Sequence, residues 1–424
     1  MNLLVKGTTI ADPNSEFNQQ TADIRVEKGK ITAIAKSLLP LKGEEVFEAK
    51  GTIISPGFFD LNCMIGDPGL ETKEDIQTGT AAAKAGGFTG LAVLPNTKPV
   101  VQSKGEVEYI LNRAKNNLVD VFPIGAISHD LEGKELAELF DMQNAGAVAF
   151  SDGSKSISDD GFVSRALQYC LGFGGLLILY PENKSIAGKA QVNESKNNVL
   201  LGMKGVPALA EEMQISRDIF LATYHNAPIH ISNISTAGSV ALIKKAKKDG
   251  VKISCDVAAH QLVFTEELLN DFDSHYKVKP PLRSKADNKA LIAGLKDGTI
   301  DAISSQHRPH EIEFKDVEFE IAAYGIIALQ TVLPLLIQAG LEANLIVEKL
   351  AINPRAILNL PIPTLKAGEV ANFTIYNPTQ EWIYNSSNNF SKSNNSPLLG
   401  KILKGKVNLV YNNNQYQKYE PATH

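Results

Sequence analysis

Residues 53–61 read IISPGFFDL, residues 74–86 EDIQTGTAAAKAG and residues 90–95 GLAVLP. A short apolar run, an amphipathic segment that stops at Gly86 and a second apolar run make one strand–helix–strand unit. The pattern then repeats. Further strand-like runs follow as VDVFPIGAI (119–127), AVAFS (147–151), LLILYP (176–181), PIHISN (228–233), KISCDV (252–257) and DAISSQ (301–306). Between them lie amphipathic segments such as GEVEYILNRAKNN (105–117), VPALAEEMQISRDIFLATYHN (206–226) and TAGSVALIKKAKKDG (236–250), each ending near Gly or Asn as helix stops should. Eight alternating units over roughly 300 residues predict a (β/α)8 barrel, a TIM barrel of the α/β class.

Outward from this block the pattern changes at both ends. Residues 21–36, TADIRVEKGKITAIAK, alternate apolar and polar with the period of two that marks short antiparallel strands. Beyond residue 354 the strand-like pieces ANFTIYNP (371–378) and GKVNLVYNNN (405–414) return, separated by YNSSNNFSKSNNSP (384–397), which reads as an exposed loop. No second core is visible near the C-terminus. The expectation is therefore a small discontinuous β-sandwich domain made of residues 1–52 and 355–424, with the barrel at 53–354.

The 424 residues, 43% hydrophobic and 21% charged, suffice for one large core and a smaller one. A net charge of −5 argues against a nucleic-acid or acidic-lipid partner. The N-terminus MNLLVKGTTIADPNS lacks the layout of a signal peptide. GIIALQTVLPLLIQAG (325–340), broken by Gln330, Pro334 and Gln338, suits a buried helix rather than a membrane span. Cys63, Cys170 and Cys255 are far apart, which suggests neither disulfides nor a zinc knuckle and fits a reducing cytoplasm.

Function in such a barrel sits at the C-terminal ends of the strands. Those positions hold Asp60 to Met64, then Pro95-Asn96-Thr97, Ser151-Asp152, Tyr180-Pro181-Glu182, Ser232-Asn233, His260, and Gln306 to His310. The set is polar enough to hold a ligand and poor for a divalent metal. Hydrolytic zinc needs converging His, Cys or carboxylate donors and an open position for water, whereas amides are weak donors and the Met64 thioether is a soft one. Asp152 is the one first-rate hard ligand, with Asp60 and Glu182 as unassigned helpers.

Several longer matches carry a resemblance: PNTKPV at Pro95, FSD at Phe150, ISTAGSVALIKKAKKDGVKIS at Ile234, KPPLR at Lys279, DGTIDAIS at Asp297 and NSPLLGKILKGKV at Asn395. In these the chain resembles the larger single-chain dihydroorotases of the cyclic amidohydrolase family. The resemblance implies a metal-dependent hydrolase type of barrel and a place in pyrimidine biosynthesis. It also shows departures. The family's HxHxRxPG reads Asn62-Cys63-Met64-Ile65-Gly66-Asp67-Pro68-Gly69, the histidine after strand five corresponds to Tyr180, and that after strand six to Asn233. TDHAPH reads Ser305-Gln306-His307-Arg308-Pro309-His310, so Gln306 stands where the family has its metal-binding, proton-carrying aspartate. Asp152 is the one ligand position retained. Asn96 and His310 match positions that touch substrate, and Lys279 replaces the asparagine of KxNPPLR.

The resulting expectation is a degenerate homologue with no functioning catalytic set at Asn62, Met64, Tyr180, Asn233 and Gln306, and with no metal and no cofactor. Such homologues are expected to assemble with aspartate transcarbamoylase as non-catalytic scaffolds; a homo-oligomer is a further expectation. The alternative is an active, zinc-dependent dihydroorotase or a hydantoinase- or allantoinase-like enzyme opening a cyclic amide. A third reading has Lys279, Arg308 and His310 hold a small anion. Individual residues keep plain readings beside these: Asp152 as a helix cap, Asn96 as a turn-maker, His307 and His310 as loop-packing residues, and His230 as a satisfied core residue.

Overall fold

The computed structural model describes residues 2–419. Eight parallel strands form the barrel: β6 (Phe58–Cys63), β7 (Phe88–Val93), β8 (Asp120–Gly125), β9 (Ala149–Phe150), β10 (Leu177–Leu179), β13 (Ile229–Ile231), β14 (Ile253–Ala258) and β15 (Ala302–Ser304). They match the eight runs read from the sequence. The seam closes where Cys63 bridges His307 and the Met64 amide donates to the His307 carbonyl at 3.0 Å. Strands covered by helices outside and by one another inside are buried on both faces and mostly apolar, and every residue of β6 and β7 is buried. Phe59, Leu61, Ala92, Leu94, Ile124, Ala149, Ile178 and Ala302 fill the interior.

The helices start where the sequence supplies a cap. Asp75 accepts from the Thr78 amide at the start of Ile76–Ala85, and Ser103 and Glu106 form a capping box on Lys104–Arg113. Residues 325–340 turn into the buried helix Val332–Gln338. No helix among the described residues is long and apolar enough to cross a membrane.

The second large sheet draws strands from both ends of the chain. β1 (Asn2–Ile10), β2 (Thr21–Glu27) and β3 (Lys30–Ala35) pair antiparallel, while β4 (Glu45–Glu48) and β5 (Ile53–Pro56) run parallel to β1. β16 (Phe373–Ile383) joins β5 with Phe373 opposite Pro56, followed by β17 (Ile402–Asn412) and β18 (Gln415–Lys418). These strands enclose their own core of Leu3, Val5, Ile24, Val26, Ile54, Phe373, Ile375 and Leu409. β11 (Val192–Asn193) and β12 (Gly205–Val206) make a small separate pair.

Two readings change. IISPGFFDL is not one strand: it divides at Gly57 into β5 of the sandwich and β6 of the barrel. The Ser/Asn-rich stretch is not simply an exposed loop, because Ser391, Ser393, Asn395 and Ser396 are buried. Its side chains take up the hydrogen bonds that regular structure would otherwise provide.

Candidate functional site at the barrel mouth

The ends of β6, β13 and β15 meet in a hydrogen-bonded chain. The Asn62 side chain donates through Nδ2 to the Ser232 hydroxyl at 2.7 Å and accepts at Oδ1 from Arg308 Nη2. Asn233 Nδ2 donates to the same Ser232 hydroxyl, also at 2.7 Å. Ser304 Oγ lies 3.2 Å from Asn233 Oδ1 and 2.8 Å from Asp256 Oδ1, and its single proton serves the nearer acceptor. Asp256 Oδ2 then faces His230 Nε2 at 2.9 Å, and His230 Nδ1 faces Ser254 Oγ at 2.8 Å. His230 is thus a satisfied core residue.

Arg308 is the cation in this arrangement. Its side chain is buried, donating through Nη1 to the His307 carbonyl at 3.0 Å as well as to Asn62. Burial pushes its pKa down to about 10, which leaves it charged at neutral pH. Beside it, both ring nitrogens of His260 are buried without partners. Burial, reinforced by the Arg308 charge, pulls that ring down to about 3, so it is neutral.

The other expected site residues have separate partners. Gln306 donates through Nε2 to the Lys279 carbonyl at 2.8 Å. Tyr180 is buried, and desolvation followed by Glu182 holds its phenol well above the ordinary range. Met64 is half-buried. Lys279 Nζ pairs with Glu182 Oε1 at 2.8 Å, and His310 Nε2 meets the Tyr324 carbonyl at 3.0 Å. Asn96 Oδ1 is buried without a partner and lies against Gly153, where an added Cβ would stand 1.9 Å from it. With φ at +64°, position 153 needs glycine on both grounds.

Asp152 does not cap the helix after it; Asp159 caps that helix. Asp152 instead accepts from the Ile127 amide at 2.9 Å, the Ser128 amide at 3.0 Å and the Ser128 hydroxyl. The expectation failed because helix caps are local, whereas this carboxylate reaches back to the loop after β8. His307 turns away from the mouth. Its Nδ1 accepts from the Ala328 amide at 3.0 Å and its Nε2 lies 3.4 Å from Glu74 Oε2. His307 and His310 therefore pack loops in different directions.

Sequence reasoning passed over Asp256, placed Ser232 and His260 at strand ends without giving either a part, and gave Arg308 only a minor one. One signal was available: Arg308 stands where the TDHAPH pattern has alanine, and a long cation at a strand end must find acceptors inside the mouth.

A closed parallel barrel carrying a sandwich built from both chain ends is the architecture of cyclic amidohydrolases. L-hydantoinase from Arthrobacter aurescens superposes with a TM-score of 0.87 at 23% identity, covering 99% of this chain and 97% of that one. A D-hydantoinase structure gives 0.83 at 22%, covering 100% and 96%. A family model described as Dihydro-orotase-like matches residues 51–239. Proteins named dihydroorotase are 42% identical over 410 residues in Geotalea daltonii and 43% over 410 residues in Geobacter sulfurreducens, in each case across 96% of both chains. The chain belongs to the dihydroorotase-like family of cyclic amidohydrolases.

This membership corrects the expectation that no cofactor accompanies the chain. Dihydroorotases and hydantoinases are metal-dependent hydrolases, so zinc is the cofactor the family implies. The side chains at the mouth, as folded, do not fit it. Among the described residues no three His, Cys, Asp or Glu groups converge as a metal ion requires. Asp60 accepts from the Ser305 amide and hydroxyl, and Asp152 is held by the loop after β8.

Proposed function

We propose that this chain serves pyrimidine biosynthesis in the cytoplasm as a dihydroorotase-like protein that does not itself open the dihydroorotate ring. Its role is that of a scaffold subunit assembling with aspartate transcarbamoylase. The carrying observation is the chain from Arg308 through Asn62 and Ser232 to Asn233. Fixed amides and a guanidinium stand where hydrolysis needs a group that takes up and returns a proton near neutral pH. Gln306, tied to the Lys279 carbonyl, has no such proton affinity. Whole-length similarity to dihydroorotases supports the pathway assignment.

Two measurements test this. The purified chain with added zinc, incubated with dihydroorotate, is expected to form carbamoyl aspartate no faster than the uncatalysed reaction; sustained turnover overturns the non-catalytic reading. Gel filtration of the chain mixed with aspartate transcarbamoylase is expected to give one co-eluting peak. Two independent peaks overturn the scaffold role.

A further inference from the structure

At the opposite end of the barrel from the mouth lies a cavity of ≈ 370 Å³, lined by Phe122 of β8, by Leu360, Ile362 and Pro363 of the segment leading to the sandwich, and by Arg355. Arg355 sits in the short helix Asn353–Ile357 and is buried. Its Nη1 donates to the carbonyls of Gly57 at 2.7 Å and Ala351 at 2.8 Å, its Nη2 to Thr89 Oγ1 at 2.9 Å, and its guanidinium carbon lies 5.1 Å from the centre of the Phe59 ring. Every one of these partners is neutral.

A buried charge is ordinarily paired, because desolvation without a counter-ion is expensive. The carboxylate on the same wall, Asp120, instead accepts from Asn412 Nδ2 at 2.9 Å and Asn413 Nδ2 at 2.8 Å, and acts on Arg355 only at a distance. Glu369, also lining the cavity, is exposed to solvent. Burial draws the Arg355 pKa down to about 9, so the side chain remains a cation at neutral pH. The site therefore combines a buried guanidinium that has no carboxylate in contact with it, an apolar wall of ring and branched side chains, and a volume within the range of small-molecule pockets.

We propose that this cavity binds a small organic anion, a carboxylate with a compact apolar body. The carboxylate supplies the ion-pair partner that Arg355 lacks, and its body lies along Leu360, Ile362 and Pro363. This site is independent of the mouth and of the scaffold role, so either can fail without the other.

Fluorine NMR of the full chain with para-fluorobenzoate tests it. The expected result is a saturable shift or broadening of the benzoate signal, with none for the neutral para-fluorobenzamide. Arg355→Gln should weaken binding at least about tenfold, the scale of one lost charge-assisted hydrogen bond. Ile362→Trp, at an exposed position on the rim, should fill the cavity and abolish binding while the circular dichroism stays unchanged. The absence of a saturable response in the unmodified chain overturns the proposal. So does equal binding of the benzamide, binding that survives Ile362→Trp in a folded protein, or uptake of inorganic phosphate with no response to the benzoate. Should both variants fail to fold, the benzoate–benzamide comparison on the unmodified chain still decides.

Discussion

Arg308 donates through Nη2 to the side-chain oxygen of Asn62, 246 residues earlier, and so ties the end of the last barrel strand to the end of the first. Removing the guanidinium leaves a buried amide oxygen unpaired and a void beside it. Arg308→Ala is therefore expected to lower unfolding stability by about 2–4 kcal/mol. Asn62→Ala should be non-additive with it, with a coupling of about 1–3 kcal/mol. Urea titrations of the two single variants and the double variant measure this. Strict additivity would mean that the contact contributes nothing to stability.

Asp152 holds the loop after β8 through two backbone amides and a hydroxyl. Asp152→Ala should cost about 2–4 kcal/mol by leaving those donors buried and unpaired. Asp152→Asn, which keeps one acceptor oxygen, should cost less. Thermal unfolding with both variants checks the order. An alanine variant as stable as the parent contradicts this structural role.

Asp218, on the helix Ala208–His225, is fully buried, and desolvation raises its carboxyl pKa to about 7. Arg217 Nε lies 2.7 Å from Asp218 Oδ1 without the alignment of a hydrogen bond, and it offsets burial only in part. Because the folded state holds this proton more tightly than the unfolded chain, the contribution of Asp218 to stability is most favourable at low pH. It falls as pH rises from the ordinary carboxylate range through about 7. Asp218→Asn should flatten that fall and stabilise the protein above neutrality by on the order of 1–3 kcal/mol. Denaturation curves at several pH values decide. A variant with the same pH slope as the parent rules the effect out.

Much of the architecture was legible. Eight β-branched or apolar runs spaced by capped helices leave few alternatives to a barrel, and the runs at 371–378 and 405–414, with no core of their own, complete the sheet of the N-terminal unit through β16 and β5. At the site, the types of residue at the strand ends were readable, but their partners were not. Nothing local to Asp152 indicates that it holds Ile127 and Ser128, and nothing in NPRAIL announces that Arg355 reaches Gly57 and Thr89 across the barrel floor. The Ser/Asn-rich stretch misled for the same reason. Its composition resembles that of a solvated loop, and only the facing residues show that it is bound.

Those facing residues give a further prediction. Glu74 is buried and accepts from the Ser391 hydroxyl and from the Lys392 amide at 3.1 Å. Glu74→Gln removes the charge that strengthens both bonds and should weaken attachment of residues 385–396 by about 1–3 kcal/mol. Limited proteolysis is expected to nick that stretch first in the variant; an unchanged cleavage pattern would count against it.

Asn395 carries the same stretch to the mouth itself. Its Nδ2 donates to the carbonyls of Arg308 at 2.8 Å and Gly325 at 3.2 Å, and its Oδ1 accepts from the His310 amide at 3.1 Å. The two ends of the polypeptide are consequently rivets in one another's territory: the tail that completes the sandwich also clamps the rim of the barrel. A shortened gene product stopping before β16 would lose both at once, so that cut does not leave an intact barrel.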